Sequence, residues 1–395
     1  MGGTDADTAS SNDQRVRLHT TPQYEDGKSI VDLDGKRTSG EREELGLEPA
    51  LQKELDGLLA ELDHLAAQVP LDAPWTASQA EEFDNITVEE WFDAHTKNKA
   101  MHRFFQMLAR TYHAADTKQM SFLFFLFYLH TCDTFESLVG IKNAAQAYRV
   151  LGGLHGVAAK LADELGQVIV LETPVQAISQ DASGVVVHSQ KDRWHADYAI
   201  VAVPLPLSVR ITYDPPLPPH PDALAQRMPM GSVIKYWVAY DRPFWREHGW
   251  SGITLSDLPP SAGCYDCTPP QGKPGLLVGF IEANNALRWT GRPREERQKL
   301  IVGRIVDWFG PEAANPNRLR GQGLARRTVE PRMLRGLDRT RSIDNCREGD
   351  SRADWANPLG GDGDFTEMDG LCRGCHSFRR ACRGGSIGQL QTKVR

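Results

Sequence analysis

The chain has 395 residues, enough for one large or two ordinary domains, and 40% of them are hydrophobic, which is sufficient for a sizeable core. Its net charge of −7 provides no basic surface for nucleic acid, so we expect no nucleic-acid partner. The longest apolar run, residues 120–129, is about half the length needed to cross a bilayer, which predicts a buried helix and no transmembrane segment.

The first half of the chain is predicted to be helical. Residues 48–69 place Leu, Ala and Val at helical spacing between acidic residues, which is typical of an amphipathic helix. Thr87 and Glu90 have the spacing of a capping box at the start of the next helix. Further helices are predicted over residues 99–111 and 120–131.

The pattern of apolar residues changes after Gly152 and Gly153, from mainly helical segments to mainly short, strand-like ones. A helix is predicted over residues 154–165, and strands over 168–171, 175–178, 184–189 and 198–203, with a polar turn at 181–184. After a proline-rich boundary at 214–221, strands are predicted over 232–240 and 276–281 and a helix over 294–309. This order suits layered α/β structure.

Five motifs resemble those of the flavin-containing monoamine oxidases, over residues 18–317. They are VPLDAPW at 69–75, NAAQAYRVLGG at 143–153, ETPVQAI at 172–178, AVPLPL followed by DPPLP, and MGSVIKYWVAYDRPFW at 230–245. The last is the most specific. The resemblance implies an α/β fold in which part of an FAD-binding domain of the glutathione-reductase type is interleaved with an α+β substrate domain built on a mixed sheet.

The resemblance also implies a division of the chain. Residues 18–150 and 225–328 are expected to form the substrate domain, and residues 151–224 part of the FAD-binding domain. Residues 1–17, rich in Ser, Asp and Thr, are predicted to be disordered or mistranslated. Residues 329–395 are predicted to be an out-of-frame tail.

The tail prediction depends on a shifted reading of residues 356–384. Back-translated with permitted codons and read one base forward, they can give RIHWAGTETS-x-KWMGYVEGAIRSGERAA, which resembles the family's C-terminal flavin-binding motif. A similar shift near 332–342 can give the family's GCY…PGV segment. The family's two substrate-flanking Tyr would come from these shifted motifs, and the chain as written has none at those positions.

Four residues match site positions of the family. Lys235 matches the Lys that holds a water against flavin N5 and assists the reaction of oxygen, although a Lys on a solvated strand face is the ordinary alternative. Gln146 matches a residue of the substrate cavity and could also be a polar loop residue. Val139 matches a cavity-gating position and could equally be core. Val175 matches a Val whose backbone meets the adenine of FAD and could be an ordinary strand residue.

The sequence departs from the family pattern in two places. Relatives tend to have Gly-Gly where this chain has Ala144 and Ala145, and because Ala does not readily adopt positive φ, the shape of that loop is in question. No Gly-x-Gly-x-x-Gly turn for the pyrophosphate precedes the matched region, and the glycines at 152, 153 and 156 are no substitute. We therefore expect this chain to bind FAD poorly or not at all.

The seven cysteines invite other readings, which we set aside. Cys372 and Cys375 followed by His376 have the spacing of a c-type haem attachment site, and with Cys264 and Cys267 they could form a zinc site. Both readings rest on the out-of-frame segment, so no metal is expected. Cys264 and Cys267 are predicted to be unpaired thiols in a loop.

The resemblance implies oxidative deamination of a primary amine by FAD and oxygen, giving aldehyde, ammonia and hydrogen peroxide. A polyamine or L-amino-acid oxidase and a non-enzymatic interaction module remain as alternatives. No signal peptide is seen, so the cytoplasm, the peroxisome or another organelle is expected. The sequence does not indicate which amine is used, whether FAD is covalently bound, or the oligomeric state.

Overall fold

A computed structural model describes residues 19–41 and 45–323. The helices are α1 Pro49–Ala66, α2 Ala80–Asp84, α3 Val88–His95, α4 Lys99–His113, α5 Phe122–His130, α6 Phe135–Val139, α7 His155–Leu165, α8 Leu205–Ser208, α9 Pro219–Arg227, α10 Phe244–Glu247, α11 Ala283–Thr290 and α12 Arg294–Phe309. The strands are β1 Thr20–Pro22, β2 Lys28–Leu33, β3 Lys36–Glu41, β4 Tyr148–Val150, β5 Val175–Asp181, β6 Gly184–Ser189, β7 Arg193–Ala196, β8 Thr212–Asp214, β9 Val233–Tyr240, β10 Trp250–Ser256, β11 Ser261–Asp266, β12 Gly275–Glu282 and β13 Arg318–Gly323.

The largest sheet has seven strands in the order β13-β9-β12-β11-β10-β2-β3. Only the β10–β2 pair is parallel, and the other neighbours are antiparallel. The sheet is therefore mixed, as predicted. Strands β9 and β12 confirm the strands expected over 232–240 and 276–281.

One face of this sheet is covered by helix α12. Strand alternation turns Tyr236 and Val238 of β9 towards that helix, where they are fully buried with Ile305. Trp245 is also fully buried, and its indole N–H donates to Asp266 Oδ2 at 2.7 Å. Arg246 donates two further hydrogen bonds to the Asp266 carboxylate, one to each oxygen. Both carboxylate oxygens and the indole N–H therefore have partners.

A second core is helical and forms from the first half of the chain. Helices α1, α3, α4 and α5 bury Leu62, Trp91, Met101 and Leu126 in one cluster. The four predicted helices are confirmed, and so is the capping box, in which Glu90 N–H donates to the hydroxyl of Thr87 at 3.2 Å. Helix α5 is the buried apolar helix expected from composition. Across the described ranges, no helix is long and apolar enough to span a membrane.

A smaller sheet has four strands in the order β7-β6-β5-β8. Strands β5 and β6 form a hairpin whose turn, as predicted, ends at Gly184. Gly184 has φ 137, and a Cβ there would approach the carbonyl of Ala196 at 2.7 Å, so glycine is required.

Two predicted strands are wrong. Val168 ends a 3-10 turn, and residues 169–171 and 198–203 are extended or irregular and pair with no neighbour within the described part of the chain. Their apolar side chains stay in solvent, with Leu171 77% and Tyr198 84% exposed. An apolar segment becomes a strand only when an adjacent strand takes up its backbone hydrogen bonds, and none is described beside these two.

The position predicted for Cys264 is also wrong. It lies within β11 and is fully buried, not in a loop, although it is a free thiol as expected. Burial raises the pKa of the Cys264 thiol to about 12. The group therefore behaves as a small apolar side chain with little nucleophilic character.

Candidate active site

Lys235 lies in the middle of the seven-stranded sheet. In β9 the buried residues alternate with Val233, Lys235 and Trp237, which point away from α12. Lys235 pairs with Phe280 of β12, and Trp237 pairs with Val278, so all four side chains share one face of the sheet. That face is half-buried, which differs from the solvated strand surface of the ordinary alternative.

Two aromatic rings flank the ammonium group of Lys235. Its Nζ lies 5.2 Å from the ring centroid of Trp237 and 5.2 Å from that of Phe280. Both rings attract the cation through their electron-rich faces. Within the described ranges no acceptor bonds this Nζ, so no described group competes with a water molecule or a ligand for its N–H groups.

Arg149 ties the neighbouring loop to this sheet, and sequence reasoning did not select it. Its guanidinium donates to the carbonyls of Cys267 at 2.9 Å and Thr268 at 3.0 Å, while its buried Nε has no partner. Burial raises the pKa of Cys267, and the nearby positive charges of Arg149 and Lys235 oppose that rise. The two cations therefore lie near the same thiol. The sequence did carry a signal for Arg149, because it is a charged residue among apolar neighbours just before Gly152.

Gln146 and Val139 lie at the two ends of that loop. Val139 ends helix α6 and is half-buried against the helical core, as the core alternative also expected. Gln146 is exposed, and its backbone N–H donates to Gly140 O at 3.1 Å. The loop is attached to the Lys235 sheet through Arg149, three residues after Gln146.

The two alanines of this loop do not strain it. The left-handed residue is Asn143, at φ 55, and Ala145 N–H donates to Ser137 O at 2.9 Å. Asn tolerates this conformation because its short polar side chain can bond locally. The loop thus closes with alanine at 144 and 145.

Val175 lies in a different sheet from Lys235. It is the first residue of β5, pairs with Ser189, and is 38% exposed. Glu172, three residues before Val175, has a left-handed backbone conformation, with φ 54. The structure therefore brings Lys235 and the Gln146 loop together through Arg149, and it leaves Val175 at the edge of the smaller sheet.

An aromatic wall continues the Lys235 face and was not predicted. Tyr265 pairs with Val278 and so points to the same side of the sheet, towards Tyr112 of α4. Burial raises the pKa of both phenols, which stay protonated. His113 packs edge-on against Tyr128, with ring centroids 4.5 Å apart, and burial lowers the pKa of His113 to about 4. The wall is uncharged near neutral pH.

The described residues fit FAD only in part. Lys235 offers an unsatisfied donor beside aromatic surface, which suits the polar edge of a flavin ring, and the buried Nε of Arg149 is a second donor without a partner. For the phosphates, the described residues contain no Gly-x-Gly-x-x-Gly turn leading into a helix. The sites that the shifted tail would supply, residues 329–395, lie outside the described residues.

Comparisons with known proteins agree with the motifs. The model of the family "Flavin containing amine oxidoreductase" matches residues 12–332. The chain is 34% identical over 321 residues to the probable flavin-containing monoamine oxidase A of Dictyostelium discoideum, covering 80% of this chain and 70% of that protein. It is 33% identical over 259 residues to human amine oxidase [flavin-containing] B, covering 65% of this chain and 50% of that protein.

Solved structures give the same result. Putrescine oxidase bound to putrescine superposes with a TM-score of 0.73 at 29% identity, covering 77% of this chain and 68% of that one. Cyclohexylamine oxidase from Brevibacterium oxydans IH-35A gives 0.72 at 30% identity, covering 78% and 68%. The chain thus spans between half and about 70% of the length of these relatives. It belongs to the flavin-containing amine oxidoreductase family, whose cofactor is FAD.

Proposed function

We propose that this chain belongs to an FAD-dependent oxidase of primary amines that releases aldehyde, ammonia and hydrogen peroxide, with oxygen as the electron acceptor. The observation that supports it best is Lys235, whose Nζ lies between Trp237 and Phe280 with no acceptor among the described residues. When bound, FAD would accept a hydride equivalent from the α-carbon of the amine, leaving an imine that water hydrolyses to aldehyde and ammonia. The mapping of residues 151–224 to the FAD-binding domain and of 18–150 and 225–328 to the substrate domain is part of this proposal.

Each residue then has a physical task. Lys235 holds a water or a proton at its Nζ and supplies positive charge where negative charge develops on oxygen. Trp237, Phe280 and Tyr265 exclude bulk water and offer ring faces to an amine. Gln146 and Val139 contact the substrate from the loop that Arg149 holds. Val175 meets the adenine end of the cofactor.

One structural neighbour, putrescine oxidase, supports a second candidate for the substrate class. That protein was solved with putrescine, a compound with two amine groups, and its likeness to this chain extends over 77% of the chain. A diamine or polyamine is therefore the second substrate class to test.

The test separates cofactor binding from chemistry. Purified chain is titrated with FAD by flavin fluorescence, and we expect weak binding because the described residues lack a phosphate-binding turn. At saturating FAD, a primary amine without oxygen should bleach the flavin, and air should restore the colour with formation of peroxide. Lys235→Met should slow the recovery in air at least about tenfold and leave the bleaching step unchanged.

The exposed Lys273→Met is the matched control, because it removes a Lys from a loop at the surface. It should change neither step. If no monoamine or diamine bleaches the flavin at saturation, the proposed oxidase function is wrong. A folded, colourless chain would then support the interaction-module alternative.

A further inference from the structure

A small cavity lined by both polar and apolar residues lies between helix α4 and the turn that joins β10 to β11. Its volume is about 60 Å³. Helix α4 contributes Arg103 and Arg110, the turn contributes Asp257, and the end of β12 and the start of α11 contribute Glu282 and Asn285. By the usual share of about 30 Å³ for a water molecule in the liquid, the cavity has room for two water-sized groups.

Asp257 is the unusual residue of this cavity. Its side chain is only 4% exposed, and Oδ2 accepts the backbone N–H of Asp34 at 2.9 Å and approaches Arg103 Nη1 at 3.4 Å. Its second oxygen, Oδ1, is buried and has no hydrogen-bond partner. A buried charged oxygen without a partner is costly, so a donor in the cavity would stabilise the protein.

The arginines of the wall are already engaged. Arg110 donates to Asp116 Oδ1 at 2.6 Å, and Arg103 is shared between Asp257 and Asp34, each at 3.4 Å. Glu282 adds a second carboxyl that is 4% exposed. Burial raises the pKa of Glu282 to about 7, opposed by the N–H of Ala262 and the charge of Arg110.

Behind the cavity wall, Arg304 is also engaged. It donates to Ser256 Oγ at 2.8 Å and lies 3.5 Å from Asp32. Arg304 Nε has no partner, but this residue does not line the cavity, and none of the three guanidinium groups bonds Asp257 Oδ1. The cavity therefore offers one buried acceptor without a partner, Asp257 Oδ1, to whatever enters it.

The lining selects a particular kind of cation. Within the described ranges, no three His, Cys, Asp or Glu side chains converge as a metal site would need. A cation that carries N–H donors can instead bond carboxylate oxygens and the Asn285 amide in the geometry that hydrogen bonds require. We propose that this cavity binds a small ammonium-type cation, ammonium or methylammonium, with Asp257 Oδ1 as its main acceptor and Glu282 as its second.

The proposal rests on this cavity and is independent of the proposed oxidase function. It is tested with the full chain by thermal unfolding at constant ionic strength and neutral pH. The test salt is methylammonium chloride, and the reference salt is tetramethylammonium chloride, whose cation has the same charge and no N–H donor. At about ten times its dissociation constant, methylammonium should raise Tm by about 2–4 °C, and the shift should grow with the logarithm of its concentration.

Asp257→Asn should weaken methylammonium binding about tenfold or more, since it removes the charge that the cation faces. The variant keeps an acceptor for Asp34 N–H, and its shift is read against its own Tm. Glu282→Gln should weaken binding less. Asp72→Asn, which changes an exposed carboxylate of the same type, should bind as the unaltered chain does.

Three results would overturn the proposal. Equal shifts with methylammonium and tetramethylammonium would mean a general salt effect. Equal affinities in the unaltered chain and Asp257→Asn would mean binding elsewhere, or a cavity that holds water only. An equal shift with potassium chloride would mean an alkali-cation site without selection for N–H donors.

Discussion

Residues 233–309 and residues 148–203 are both rich in apolar residues, yet the two regions differ in how far their apolar side chains are buried. In the first region Tyr236 of β9, Trp245 of α10 and Ile305 of α12 are buried in one closed core between the large sheet and α12. In the second, Leu171 and Ile200 remain 77% and 79% exposed. The difference shows that apolar content becomes stability only where a second layer covers it.

The largest expected effect tests that difference with two aromatic residues. Trp245→Ala should lower the free energy of unfolding by about 3–5 kcal/mol, because it opens a cavity and leaves Asp266 with one donor fewer. Tyr198→Ala, at an 84% exposed position, should change it by less than about 0.5 kcal/mol. Urea unfolding measures both, and similar losses in the two variants would refute the contrast between the regions.

A medium effect concerns charge inside the closed region. Glu282 has a pKa raised to about 7 from 4.5 by burial, so its contribution to stability is fully present below pH 4.5 and is lost as the pH rises through 7. Relative to Glu282→Gln, the free energy of unfolding of the unaltered chain should fall by up to about 1.4 kcal/mol per pH unit as the pH rises from 4.5 to 7.

His113 titrates in the opposite sense and serves as an internal reference. Its pKa is lowered from 6.5 to about 4 by burial, so its contribution is present above pH 6.5 and is lost as the pH falls through 4. Because His113 is unchanged in Glu282→Gln, the difference between the two unfolding curves isolates Glu282. A difference that does not vary between pH 4.5 and 7 would contradict the assignment.

The smallest effect on stability is expected in the open region. Replacing Leu171 and Ile200 together by Ser should leave the free energy of unfolding within about 0.5 kcal/mol, because both side chains are already in water. Binding of a hydrophobic dye and self-association should both fall, since exposed apolar surface drives them. The exposed Leu287→Ser, outside this region, is the control. Unchanged dye binding would show that the exposed surface lies elsewhere.

Much of the helical core and of the large sheet could be predicted because their signals are local. The helical period of residues 48–69 and the capping-box spacing of Thr87 and Glu90 each depend on few neighbours. The strand pattern around Lys235 was equally clear. The unpaired segments 168–171 and 198–203 were predicted wrongly because an apolar run does not state whether a neighbour exists.

The site was predicted less completely than the fold. A motif selected Lys235, but Arg149 depends on a hydrogen bond to a carbonyl 118 residues later, and Tyr265 depends on the register between β11 and β12, neither of which periodicity encodes. The doubt about Ala144 and Ala145 assumed that they had to adopt positive φ, whereas Asn143 takes that conformation. The roles of Lys235, Gln146, Val139 and Val175 remain predictions.

The parallel pairing of β2 with β10 has a consequence for how the chain is made. Strand β2 ends at Leu33, and its partner begins only at Trp250, so more than half of the chain separates them. During synthesis, β2 and β3 can form a hairpin early but have no sheet to join until β10 has left the ribosome. Until then the unpaired edge of β2 and the face of the hairpin that carries Ile30 are open to other chains, and such late, long-range pairing makes folding slow. Expression at a lower rate or with chaperones should therefore raise the soluble yield.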